Sequence, residues 1–159
     1  MLDDDLDILD SKEFCRECFL PLIKGDNWSE GKAKAKNYIC DYCFREEKMR
    51  QRKANPWKYK LKALRGSLKT RGLPDAEVTE WELREIYEEQ RGLCVFCGEW
   101  LDPCSSNCHL DHIVPTSAGG LTEKDNIQFL CEKCSYGKWK FSSEEYVRHC
   151  QRVAKWYSK

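Results

Sequence analysis

The chain has 159 residues, 34% of them charged, with a mean hydropathy of −0.74. That is room for one ordinary domain or two small ones, and no stretch approaches the roughly 20 apolar residues of a membrane span. The 27 basic and 27 acidic side chains cancel overall but not locally: residues 1–13 hold six acids and one Lys, 48–71 hold ten Lys/Arg and no acid, and 75–89 hold seven acids and one Arg.

The start, Met1-Leu2-Asp3-Asp4-Asp5, lacks the basic residues and apolar core of a signal peptide, so a cytoplasmic location is expected. Eleven cysteines in such a compartment argue for metal rather than disulfides. Eight of them fall in four Cys-x-x-Cys pairs, at 15/18, 40/43, 94/97 and 131/134. The pairs suit two four-thiolate zinc sites, one from Cys15, Cys18, Cys40 and Cys43 and one from Cys94, Cys97, Cys131 and Cys134. The competing reading is redox pairs or a disulfide framework.

Residues 11–47 read as a zinc-ribbon-like module with four Cys ligands, in which Gly25-Asp26-Asn27 and Gly31-Lys32-Ala33-Lys34 form turn and loop. A segment this small needs metal to fold, because its own apolar surface is too little. Residues 48–75 read as a basic helical connector. One helix runs from Phe44 to Ala54 and stops before Pro56. A second follows, with Trp57, Leu61, Leu64 and Leu68 on one face and Lys58, Lys60, Lys62, Arg65 and Lys69 around them. Its basic side is either a solvated face or a phosphate-contacting one.

Residues 76–159 form the last expected domain. Thr79 and Glu82 make a capping box for a helix over 79–91, and Val78 with Leu83 makes the staple. Ser142 and Glu145 cap the final helix in the same way, with Phe141 and Tyr146 as staple. In that helix Tyr146, Val147, Cys150, Val153, Ala154 and Tyr157 form a stripe, which makes Cys150 a small core residue. Between these helices, Cys108–Val114 and Ile127–Leu130 read as antiparallel strands and 132–140 as a helix.

The chemistry is concentrated at 108–138. Asp111 offers a hard carboxylate for a divalent cation, and His112 an imidazole that titrates near neutrality and can take a proton from water. Neighbours on a strand point to opposite faces, so the two serve one site only at a strand end or bend. Pro115 and Gly119-Gly120 supply the bend.

The ordered set Leu93-Cys94-x-x-Cys97-Gly98, His109-x-Asp111-His112-Ile113-x-Pro115, Gly119-Gly120, Asn126, Leu130-Cys131-x-x-Cys134 and Lys138 resembles the His-Asn-His (HNH) endonuclease family. The resemblance implies a small zinc-stabilised α+β fold: a ββα-metal motif with flanking helices, preceded here by the N-terminal zinc module. It implies a DNA endonuclease with two structural zinc ions and a catalytic Mg²⁺ or Mn²⁺ on Asp111, His112 as general base and Asn126 orienting it through loop backbone. Asn126 by itself would pass for an ordinary turn residue. The family's final metal ligand directly follows the last zinc Cys as Asn or His; this chain departs from it with Ser135, a shorter hydroxyl that could hold the catalytic cation through a water or leave Asp111 as its main protein ligand. His109 could assist the metal or be a partly exposed strand residue, and Lys138 could meet phosphate or be a solvated helix Lys. Family members of this size point to a phage or mobile element acting in a bacterial host. Double-stranded DNA is then the expected partner, with a phage protein as a second. The alternative is a catalytically weakened zinc protein that binds DNA or a phage protein.

Overall fold

A computed structural model describes residues 13–159, so residues 11 and 12, where the first module is expected to begin, lie outside the described residues. The described chain divides into two compact units that meet between Ala54 and Asn55. No described helix is long and apolar enough to cross a membrane.

In the first unit, Cys15, Leu22, Trp28, Ile39 and Cys40 make a small core. Trp28 is its centre, stacked on Tyr38 and donating from Nε1 to the Asn37 carbonyl at 2.7 Å. Residues 31–34 are not loop as expected but lie in a short helix, α1 (Glu30–Lys34). Ser29 stands at its N-cap position and Glu30 in its first turn, and neither proline nor a β-branched residue interrupts it. The second helix, α2 (Asp41–Ala54), starts at the second knuckle and buries no residue.

The second unit opens with α3 (Pro56–Thr70). Pro56 occupies its first turn, where a missing N–H costs nothing, and the Asn55 side chain accepts from the Lys58 N–H at 3.1 Å. Leu61 and Leu68 of α3 lie in the core of this unit together with Val78, Leu83, Ile86, Leu101, Phe129 and Leu130. The apolar side of the basic segment is therefore a packing face. Helix α4 (Glu80–Glu89) carries the full capping box of Thr79 and Glu82. Its Tyr87 ring meets Trp57 and Phe129 at centroid distances of 5.0 and 5.8 Å.

Strands β1 (His109–His112) and β2 (Ile127–Leu130) pair antiparallel, with Asp111 opposite Gln128 and His112 opposite Ile127. Gln90, just past α4, exchanges two side-chain hydrogen bonds with the Phe129 backbone, both 2.9 Å, which satisfies part of the edge of β2 that β1 leaves open. Helix α5 (Glu132–Lys138) follows β2 after Cys131 and completes a ββα unit.

Helix α6 (Ser143–Tyr157) has its capping box, from Ser142 and Glu145. The stripe behind it is not core, however. Among the described residues α6 buries none, and Cys150 is exposed. The first half of the helix is held: Tyr146 packs edge-on against Phe96 at 5.0 Å, Phe141 stacks on His149 at 6.1 Å, and the Ser143 N–H donates to the Ile113 carbonyl at 3.0 Å. Amphipathic spacing reports which residues share a face, not whether another element covers it.

Candidate active site

The knuckles bring their cysteines together. In each set of four, the ligand atoms all lie within 4.8 Å of one another. Four thiolates about 2.3 Å from a tetrahedral Zn²⁺ stand about 3.8 Å apart. Cys18 and Cys40 are 3.8 Å apart at sulfur, and Cys97 and Cys131 3.6 Å. None of the eleven cysteines is in a disulfide. Burial pushes the Cys15 thiol up, but backbone hydrogen bonds from Cys40, Cys18 and Glu17 outweigh it and bring the pKa down to about 6. Such N–H donors favour the thiolate a metal needs. Both clusters suit zinc, and four thiolates leave no position for a reacting water. The cluster of Cys94, Cys97, Cys131 and Cys134 ties the loop after α4 to the start of α5.

Asp111 and His112 close β1 and line one cavity of about 610 Å³. The loop beyond them is shaped by Asn126. Its Nδ2 donates to the carbonyls of Val114 (3.0 Å) and Leu121 (2.7 Å). Its Oδ1 accepts from the Val114 N–H at 2.7 Å, and its backbone carbonyl accepts from Ile113 at 2.9 Å. This buried side chain thus fastens both ends of the loop that follows His112. Gly120 makes room for it: a Cβ there would lie 1.9 Å from the Val114 carbonyl oxygen and 2.8 Å from Asn126 Nδ2.

His112 Nε2 lies 2.9 Å from Thr122 Oγ1. Burial lowers the imidazole pKa; Asp111 opposes this, while Arg71 and Lys138 reinforce it. A pKa below the usual value leaves the ring neutral at pH 7. In the tautomer whose Nε2–H donates to Thr122, the basic lone pair sits on Nδ1.

Lys138 is not the solvated helix lysine of the second expectation: its side chain is 1% exposed, although it lines the same cavity. Its Nζ sits 2.8 Å from Asp111 Oδ1 and donates to the His112 carbonyl at 2.7 Å. A buried ammonium needs a counter-charge, and Asp111 supplies it. Gln128 Nε2 adds a long 3.4 Å contact to the same Oδ1 and is itself held by Ser143 Oγ at 2.9 Å.

Ser135 is half-buried and does not line this cavity. His109 does line it, with its ring edge-on to Tyr136 at 5.7 Å. Among the described residues, the knuckle cysteines alone form groups of three or more convergent His, Cys, Asp or Glu ligands, so a cation here would have Asp111 as its one carboxylate. Both contacts to Asp111 fall on Oδ1, and one carboxylate with waters and phosphate oxygens meets the needs of Mg²⁺. Of the α3 cations, Lys58, Lys62, Arg65 and Lys69 are exposed. Arg65 pairs with Asp75 at 3.5 Å, and Lys60 donates to the Cys108 carbonyl at the cavity wall.

Thr122, Gln128, Ser143 and Arg71 join the site without being marked by any sequence motif. Gln128 is within reach of sequence reasoning, since antiparallel pairing of the two expected strands sets a short list of residues opposite Asp111. Thr122 carries no signal, because only the loop that Asn126 fastens sets it beside His112.

The family model described as HNH endonuclease matches residues 94–137. Among solved structures, the Type II-C Cas9 enzyme from Actinomyces naeslundii is similar at 22% identity, with a TM-score of 0.39, over 68% of this chain and 11% of that chain. This chain therefore spans about a tenth of the length of that protein. No curated protein matches it.

Proposed function

We propose that residues 94–137, which the HNH endonuclease family model matches, form a nuclease domain of the HNH type, and that the chain is a metal-dependent endonuclease that hydrolyses phosphodiester bonds in DNA. The observation that carries the reading is the pairing of a carboxylate and an imidazole, Asp111 and His112, at one strand end in one cavity. His112 takes a proton from the attacking water on Nδ1 while Thr122 holds Nε2. The new P–O bond forms to that water as the bond to the 3′ oxygen breaks, leaving 5′-phosphate and 3′-hydroxyl. Asp111 would hold Mg²⁺ or Mn²⁺, which neutralises phosphate charge and stabilises the leaving oxygen. Asn126 acts at one remove, by fixing the loop that sets the ring's position. The exposed lysines of α3 hold the DNA backbone.

A second reading, a weakened nuclease that binds without cutting, draws support from Lys138, whose ammonium already neutralises the one carboxylate available to a cation. Supercoiled plasmid incubated with Mg²⁺ or Mn²⁺ separates the two. The wild-type chain converts it to nicked or linear form, and His112→Ala slows this by about 10²–10⁴ with fold and zinc content retained. No cleavage by the wild-type chain in either metal, of the plasmid or of an end-labelled duplex carrying a one-base bulge, would leave the second reading standing.

A further inference from the structure

Beyond the end of α5 the backbone does something a tryptophan resists. Trp139 has φ 44° and ψ −108°. The Phe141 N–H donates to the Lys138 carbonyl at 2.8 Å, closing a four-residue turn over Lys138–Phe141. Those angles at the second residue, near +60° and −120°, are those of a type II′ turn, a position that glycine dominates. A bulky residue there is strained, and such strain persists where the surrounding structure imposes it, most often at functional sites. Packing does not explain the choice, because Trp139 is 73% exposed.

Its location points to a use. Trp139 lines the same cavity as Asp111 and His112, together with Lys60, Arg71 and Lys140. Lys140 Nζ stands 4.9 Å from the Trp139 ring centroid. Trp81, Trp100 and Trp156 are also exposed, but none lines this cavity. A largely exposed ring with one cation over it and others nearby, at a cleft holding an acid–base pair, is a combination that grips unpaired nucleotides: bases stack on a free ring face and phosphates meet the cations. A cleft of about 610 Å³ has room for a nucleotide beside the ring.

We propose that Trp139 is a stacking platform for an unpaired base next to the scissile phosphate, so that the substrate is DNA with a single-stranded or bulged nucleotide rather than perfect duplex. The proposal rests on the nuclease reading for the position of the scissile phosphate. Its test needs no cleavage.

The full chain, without added Mg²⁺ or Mn²⁺, is titrated into three fluorescein-labelled DNAs of one sequence: single strand, perfect duplex and duplex with a one-base bulge. Anisotropy gives the affinities. Trp139→Gly should weaken binding to the single strand and the bulge by about 5- to 150-fold, with less than a twofold change on duplex. Trp139→Phe, which keeps a ring, should retain most of the affinity. Because glycine suits the turn, Trp139→Gly should melt no lower than wild type, which separates lost stacking from lost folding. Equal losses on all three DNAs, no loss on the single strand, an equal loss in the Phe variant, or no wild-type binding to any of the three overturns the proposal. If the wild-type chain binds single strands through Trp139 yet cuts nothing, the nuclease reading falls and the platform stands.

Discussion

Lys138→Met is the most informative single change in the second unit. The ammonium is 1% exposed, Asp111 is 15% exposed, and the two are 2.8 Å apart. Methionine fills much of the lysine's volume, so packing changes little. What disappears is the charge beside Asp111 and the donor to the His112 carbonyl. Breaking a buried pair from one side typically costs about 3–5 kcal/mol, since the remaining charge stays desolvated. A solvated helix lysine would cost within about 0.5 kcal/mol. The expected fall in melting temperature exceeds about 10 °C for a unit of this size, large against the about 5–15 kcal/mol that holds a typical domain.

The double variant isolates the pair. Asp111→Asn alone leaves Lys138 buried and uncompensated, and should also be strongly destabilising. Combined with Lys138→Met it removes both charges, so the double variant should lose less than the sum of the single losses by about 2 kcal/mol or more. Urea unfolding followed by tryptophan fluorescence measures all four proteins, with zinc content checked in each. Additive losses, or a Lys138→Met loss below about 1 kcal/mol, would refute the claim that this ion pair organises the strand end.

Two other outcomes follow from the metal clusters and from α3. Elemental analysis of protein purified without added metal should find two zinc ions per chain, and stripping them should unfold both units; disulfides among the eight knuckle cysteines with no zinc would contradict this. Replacing Lys58, Lys62 and Lys69 together with Gln should weaken duplex binding for all sequences alike and flatten its salt dependence by about 0.9 log units for each phosphate that is no longer neutralised; an unchanged slope in DNA-binding titrations would place the backbone-binding surface elsewhere.

The local rules of the chain are legible wherever a few neighbouring residues decide the structure. Both capping boxes stand where Thr79–Glu82 and Ser142–Glu145 put them. The cysteine pairs converge as their spacing implies, in two four-thiol clusters that suit zinc. The strands lie where the apolar runs place them, with β1 shorter than its run suggests: Ile113 keeps one in-register bond to the Asn126 carbonyl, and Val114 turns to the Asn126 side chain. The α6 stripe exists as a stripe but is not core. Whether such a face is covered depends on elements distant in sequence, and none of the described ones covers it.

The metal-side partner of Asp111 is the harder inference, and Ser135 and Lys138 show why. They lie three residues apart on α5, close to one helical turn, so helix periodicity puts both on nearly the same face. The family resemblance points to Ser135 for the site, since it directly follows Cys134. What decides instead is where α5 ends. The helix stops at Lys138, in the turn that Trp139 bends, and its last residue reaches the carbonyl of His112. A lysine can travel that path because its long stem is apolar and its ammonium finds a carboxylate and a carbonyl at the far end. That arrangement couples two features that no local rule explains: a buried cation that fixes Asp111 and His112 from beneath, and, one residue on, an exposed ring held in a glycine's conformation at the mouth of the same cavity.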